Sequence, residues 1–540
     1  MQKMVRSAFL VTCMLLVTMP LIAQRGGVDW MTTGNDGQRS SWVAGDAKIS
    51  LETMMQPGFQ LVWKMNLKNE ARQLTSLTPP ALFDFYIGYR GFRSLAFVGG
   101  SSDKVVTIDV DLARIEWEKE FESISAPAGS VLCPGGMTAN VTRPTLTGYP
   151  SPGVRGRGRG TPAKSGVGEP LEGAVTLKEM LLQPPPPSNP APETSTRIAR
   201  PPDPFTPTVR YVHAVSGDGK FHSMYVSNGE EPNPPIPFLP ANAKALGLII
   251  FDNRAYVATV NGCNGVPDGI WALDLESKKV LHWKSPGGLL GSHGFAVGPD
   301  GVLYASTLDG ELVALDPATL AVKGSHKAGV AFSSSPLVFD YKGKDLIAAA
   351  TSDGRMRLLD SANLSAEPLA VTPVFSSPDF VIGSLASWKD SMERRWLLAP
   401  AGGAVAITAG FVPEDGEVKN GAVVAFKLVE QDGALAFEPG WISRDMVAPL
   451  TPAIVNGVAF ALSSGEFRSA SSQLTALQRV ERSSSAVLYA LNAFSGKAIW
   501  DSGDIITSFV HGGGLAAGGG RVYVGTYDGT QYAFGFPMEH

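Results

Sequence analysis

Short runs of alternating apolar and polar residues, broken by Asp-Gly and Ser-Gly turns, recur along the chain. The fullest is Ala486–Phe536. Val487, Tyr489 and Leu491 alternate with smaller residues, a turn follows at Ser495-Gly496-Lys497, and a second extended run closes on Trp500. Arg521–Thr526 alternates again, turns at Asp528-Gly529 and re-enters a strand at Gln531–Phe534. Period-two alternation between such turns predicts short antiparallel strands.

The same phrase recurs at Lys104–Glu120, Gly269–Ser285, Gly301–His326, Asp353–Leu369 and Gly421–Glu438. It consists of a strand, a polar residue at its end, a turn, and a strand that often carries Trp. Aligned on the strand-end position, the copies fall at Asp109, Ser227, Asp274, Asp316, Asp360, Lys427, Asn492 and Gly535. Undisturbed neighbours lie about 42–47 residues apart, the period of a four-stranded propeller blade. Eight copies predict an all-β chain, an eight-bladed β-propeller of four-stranded antiparallel blades. Seven blades is the alternative if the copy at Ser227 is false. The last copy ends at Phe536, too soon to supply its own outer strand. The alternating run Phe59–Leu67, with Trp63 on its apolar side, is expected to complete that blade and close the ring. The propeller then spans 57–540.

What precedes and interrupts the ring is compositionally distinct. Met1–Ala23 has the form of an export signal: Lys3 and Arg6, then an apolar stretch from Ala8 to Leu21, about fourteen residues and short for a membrane span. It points to a bacterial protein released to the periplasm or beyond, with no transmembrane span after cleavage. Residues 24–56, rich in Gly, Asp, Ser and Thr, form a lead expected to lie along the surface of the main body. The insertion 148–207, with VRGRGRG and QPPPPSNPAP, is expected to be a disordered or polyproline loop. The serine-rich stretch 464–485 is expected to be a polar surface loop that holds at most one short helical turn.

Composition agrees with many short strands: 60 Gly, 40 Pro, 44% hydrophobic and only 18% charged residues in 540. The net charge of -5 gives no case for a nucleic-acid partner. After signal cleavage two cysteines remain, Cys133 and Cys263. They are either a disulfide, which an exported protein permits, or two buried thiols.

The phrases VYVGTYDGTQYAFG and VLYALNAFSGKAIW resemble the tryptophan-docking repeat of pyrroloquinoline-quinone (PQQ)-type propellers, the quinoprotein alcohol dehydrogenase-like superfamily. The lead segment Asp29–Trp42, DWMTTGNDGQRSSW, resembles the segment before the first blade in quinoprotein dehydrogenases. The resemblance implies that Trp63, Trp117, Trp283 and Trp500 are structural residues docking one blade on the next, with Lys323 and Pro368 in or near that position elsewhere. It leaves activity open, because the same propeller serves dehydrogenases, assembly scaffolds and sensors.

A quinoprotein dehydrogenase needs a planar pocket, a divalent cation and a carboxylate base. The vicinal Cys-Cys pair and the Cys-x-x-Cys-His haem site found in many relatives are absent, and the seven His show no metal-ligand spacing. Asp309 and Asp528 sit in Asp-Gly turns and are turn formers first. Segments that open the innermost strands place Cys133, His293, Ser334 and His511 at similar depth near one mouth of the channel. His293 and His511, four blades apart, are expected to face each other across the axis, beside Gly512-Gly513-Gly514. These four are the candidate ligand-binding residues; no catalytic residue and no metal ligand is identified. The expected function is binding of a small molecule or envelope protein at that mouth, by a monomer. One alternative is a soluble dehydrogenase using PQQ with Ca²⁺ and passing electrons to a separate c-type cytochrome. The other is an envelope-assembly scaffold.

Overall fold

The computed structural model describes residues 29–88, 91–124, 130–149, 211–289, 291–468, 474–512 and 515–537. The expected signal at 1–23 and residues 150–207 of the insertion lie outside them. Eight antiparallel sheets follow one another around a ring. Blades 1 to 7 cover 81–120, 211–237, 245–284, 296–327, 337–371, 386–442 and 453–501. Blade 8 takes three strands from 515–535 and its outer strand, Gln60–Asn66, from near the N-terminus. That strand pairs antiparallel with Thr530–Gly535, so the ring closes as the alternating run predicts. Blade 2 is the thinnest. Its innermost position is a single antiparallel bridge, Thr142 to His213, and its outer strand is only Ile236–Pro237.

Alternation works here because each sheet is buried on both faces against its neighbours. Leu346 and Leu358 of blade 5 pack with Leu397, Val424 and Phe426 of blade 6 in one such seam. A shared turn ends the third strand. Asp109, Asp274 and Asp316 each accept hydrogen bonds from the backbone N–H groups two and three residues on, at 2.8–3.2 Å. The residue four places on is left-handed: φ is 51° at Ala113, 59° at Lys278, 58° at Leu320, 72° at Gly229 and 75° at Gly496. In blade 2 this turn starts at Tyr225, whose carbonyl accepts from Gly229 N at 2.9 Å. The copy is therefore real, but its strand end is Tyr225 and not Ser227. The alternation of FHSMYV is too regular to tell the two apart.

Tryptophans dock blades through their indole N–H. Trp63 donates to Val110 O at 3.0 Å and Trp117 to Val226 O at 2.9 Å, each on the next blade. Trp441 does the same to Ala493 O at 2.8 Å and was not among the expected residues. Trp500 packs edge-on against Phe59 and Phe534. The docking position pairs with the residue two before the strand end: Thr107, Ala425, Ala490 and Ala533 oppose Trp117, Trp441, Trp500 and Trp63. Trp283 instead opposes Ile270, and Leu281 holds the equivalent place in blade 3. Trp283 is thus two residues off the docking register and stays half-buried.

In an antiparallel four-stranded blade, the connections between strands two and three and from strand four to the next blade share one face of the ring. Cys133 lies in the connection from blade 1 to blade 2, and Cys263 in the connection between strands two and three of blade 3. They form a disulfide with Cα atoms 5.4 Å apart and 130 residues between them in sequence. The bridge ties the chain that enters the thin blade 2 to a loop of blade 3.

Candidate functional site

Each innermost strand turns one row of backbone N–H and C=O groups toward the channel, and buried groups of this kind need partners. The lead supplies them. Leu82 N donates to Trp30 O at 2.7 Å in blade 1, and Arg143 N to Met31 O at 3.0 Å beside blade 2. The Thr32 hydroxyl donates to Leu248 O of blade 3 at 2.7 Å. Val297 N, Val338 N, Ser387 N and Ile454 N then donate to Gly37, Gln38, Ser40 and Ser41 carbonyls at 2.7–3.1 Å, in blades 4 to 7. Trp42–Val43 finally pairs in parallel with Ile454–Val455. Residues 30–43 thus run around the inner rim of seven blades in order.

This corrects the expectation that the lead lies on the surface. Gln38 and Arg39 are fully buried and Trp30 nearly so. The lead is polar because it satisfies strand edges, not because it meets water. Arg39 shows the logic. Its guanidinium donates to Phe295 O at 2.8 Å, Gly247 O at 2.9 Å and Thr33 O at 2.7 Å. Burial lowers its pKa to about 10, with Asp36 opposing the shift. Asp36 itself holds Ser40 through the backbone N–H and the hydroxyl.

The four expected mouth residues each have a local partner. His293 is buried, and its Nδ1 lies 2.7 Å from the Ser384 hydroxyl. Burial, and then the Arg39 charge, push its pKa down to about 3, so the ring is neutral. Ser334 is fully buried; its hydroxyl donates to Ser335 O and accepts from Ala350 N at 2.8 Å. Cys133 is in the disulfide. His511 keeps a quarter of its side chain exposed, and its Nδ1 lies 3.0 Å from Glu466 Oε1. His293 and His511 therefore serve different neighbours and share no ligand geometry.

The loops above the lead also bond to one another. Ser292 N and Ser335 N both donate to Gly383 O, Gly383 N donates to Ser333 O, and the Thr451 hydroxyl donates to Ser384 O. Beside the lead, a cavity of about 10 Å³ is lined by Trp30, Gly34, Ser41, His293, Thr451 and Leu515. That volume holds one water. Cofactor pockets run to roughly 300–1,000 Å³. Among the described residues, no three His, Cys, Asp or Glu side chains gather where they could hold a metal ion. Ca²⁺ takes six to eight oxygen ligands. The described residues lining this cavity do not fit PQQ with Ca²⁺.

One catalytic-looking line lies in blade 2. Ser216 Oγ is 2.8 Å from His222 Nε2, and His222 Nδ1 is 2.8 Å from Glu231 Oε1. Its protons argue against a nucleophile. The Ser216 hydroxyl has one hydrogen, and it also meets Asp218. Thr307, Thr351 and Thr526 donate in the same way to Asp309, Asp353 and Asp528 in the equivalent turns of other blades. Ser216 is the turn residue of its blade, and Gly217 N, the nearest oxyanion donor, is spent on Asp103 at 2.6 Å.

Sequence reasoning missed Glu466, which is 2% exposed within the stretch expected to be a polar surface loop. Arg479 Nη2 and Arg468 Nε bond its two oxygens at 2.5 and 3.4 Å. The short helix Ala476–Arg482 in the same loop starts with a Thr475–Gln478 capping box, a signal that the sequence does carry.

No protein-family model and no curated protein sequence matches the chain. Solved structures do. The europium-containing methanol dehydrogenase is 10% identical, with a TM-score of 0.55 over 95% of this chain and 99% of that one. The quinohemoprotein alcohol dehydrogenase from Comamonas testosteroni is 13% identical, with a TM-score of 0.53 over 95% and 81%. The likeness is one of fold: the chain is an eight-bladed β-propeller whose overall fold is similar to those of these two dehydrogenases.

Proposed function

We propose that this chain is an exported, non-catalytic propeller that binds a partner at the ring face carrying the disulfide. The observation that carries this is the occupied inner rim: the lead bonds seven blades, and the cavity beside it is only about 10 Å³. A quinoprotein dehydrogenase needs its tricyclic cofactor there, so the PQQ reading, with its separate cytochrome, loses its site. Binding then falls to the rim, where loops of several blades present side chains and His511 stays accessible. Export is supported by the Met1–Ala23 pattern and by the disulfide, which persists in oxidising compartments. No helix among the described residues is long and apolar enough to cross a membrane.

The test is gel filtration and thermal unfolding of purified protein with PQQ and Ca²⁺. We expect the quinone band to separate from the protein and the melting temperature to stay unchanged. A co-eluting quinone with a raised melting temperature would show binding to the folded state and restore the dehydrogenase reading.

A further inference from the structure

We propose that the rim between blades 7 and 8 binds a carboxylate of the partner on Arg468, Arg479 and His511. This rests on the partner-binding reading above and says which chemistry the mouth recognises. Glu466 follows the second strand of blade 7 and is 2% exposed. Its Oε1 accepts from Arg479 Nη2 at 2.5 Å and faces His511 Nδ1 at 3.0 Å; its Oε2 faces Arg468 Nε at 3.4 Å. Three groups from two connections therefore converge on one buried carboxylate. His511, Arg468 and Arg479 hold that carboxyl down to about 2 against the upward push of burial, so it is charged at neutral pH.

The charge does not balance. One carboxylate meets two permanent guanidinium charges, in a chain of net charge -5. A latch that only ties loops needs one cation. Here the second leaves positive excess at the rim. The side chains of Arg468, Arg479 and His511 are 30%, 18% and 25% exposed. Each retains nitrogens beyond those bonded to Glu466. They are also held in place: Arg468 lies over the Phe380 ring at 5.5 Å, and Arg479 Nε donates to Phe467 O. Next to His511, a Cβ added at Gly512 would meet nothing within 4 Å among the described residues. Fixed guanidinium donors suit the two oxygens of a carboxylate. Glu466 acts as the positioning residue, orienting the donors as an outer partner orients a ligand.

The test is titration of the full chain at low salt with succinate, with a hexaglutamate peptide and with inorganic phosphate. We expect saturable binding of succinate, the peptide or both, weakened about tenfold in Arg468→Gln, the loss of one charge-assisted pair. If Arg468→Gln does not fold, His511→Gln carries the same test. Glu466→Gln separates positioning from bulk charge. Simple attraction would tighten binding when a negative charge is removed, whereas loss of positioning loosens it, and we expect loosening in a variant with a cooperative melt. Succinate binding identifies a small acid, and peptide binding without succinate identifies an acidic protein segment. Binding of phosphate alone would overturn the carboxylate assignment. No saturable binding, or equal binding by Arg468→Gln, would overturn the site while leaving the occupied inner rim, tested with the quinone, intact.

Discussion

Trp441 carries two kinds of stabilisation, and substitutions separate them. Its ring lies against Gly496, where an added Cβ would come within 2.5 Å, and its indole N–H reaches Ala493 O. Trp441→Phe keeps most of the packing and loses the bond, so it should cost about 1 kcal/mol. Trp441→Ala should cost about 3–5 kcal/mol in chemical denaturation. Individual buried groups also contribute to the acid response. His293 has a folded pKa of about 3, below its unfolded value, so its contribution is complete above about pH 6.5 and is lost as pH falls toward 3. Glu466, at about 2 when folded, contributes above about pH 4.5 and is lost as pH falls further. Melting temperature should therefore drop in two stages. Glu466→Gln should reduce the lower stage, and His293→Gln should reduce the upper, to which the similarly buried His213, also at about 3, contributes as well. Alternation made Trp63, Trp117 and Trp500 readable as blade-docking residues, but it did not separate Trp283 from Leu281. That distinction depends on a bulge between the third and fourth strands, present in blade 1 and absent in blade 3.

Elements differ in how openly they announce themselves. A strand buried on both faces writes its period into the sequence, and so does the closing strand Gln60–Asn66. The lead has no period, because its backbone carbonyls bond to six different blades and the Thr32 hydroxyl to a seventh. Its polar composition reads as solvent exposure when the true partners are strand edges hundreds of residues away. Glu466 was hidden differently: beside Arg468 in a serine-rich run it reads as a solvated pair, and its other cations, Arg479 and His511, come 13 and 45 residues on. The disulfide acts at this scale too. It ties the chain that enters blade 2 to blade 3, and blade 2 has a single bridge as its inner position and an outer pairing of two residues. Reduction, or a Cys133→Ser/Cys263→Ser variant, should destabilise the fold by up to about 5 kcal/mol on the loop-entropy argument. Proteolysis should then begin in 211–237; first cleavage elsewhere would show that the staple does not serve blade 2.

For the molecule as a whole, one chain closes its ring twice. The outer closure is the pairing of Gln60–Asn66 with Thr530–Gly535, and the inner one is the lead. The outer closure removes two sheet edges. The inner one satisfies the channel rims. Hydrogen exchange of the intact protein tests that inner closure most directly. Amides of 30–43, and those of Val297, Val338, Ser387 and Ile454 that bond to the lead, should exchange only through large-scale unfolding, as slowly as the central strands. Exchange of 30–43 within seconds, with the blades still protected, would contradict the account. It would mean that the lead lies loose and that the channel can open to a ligand.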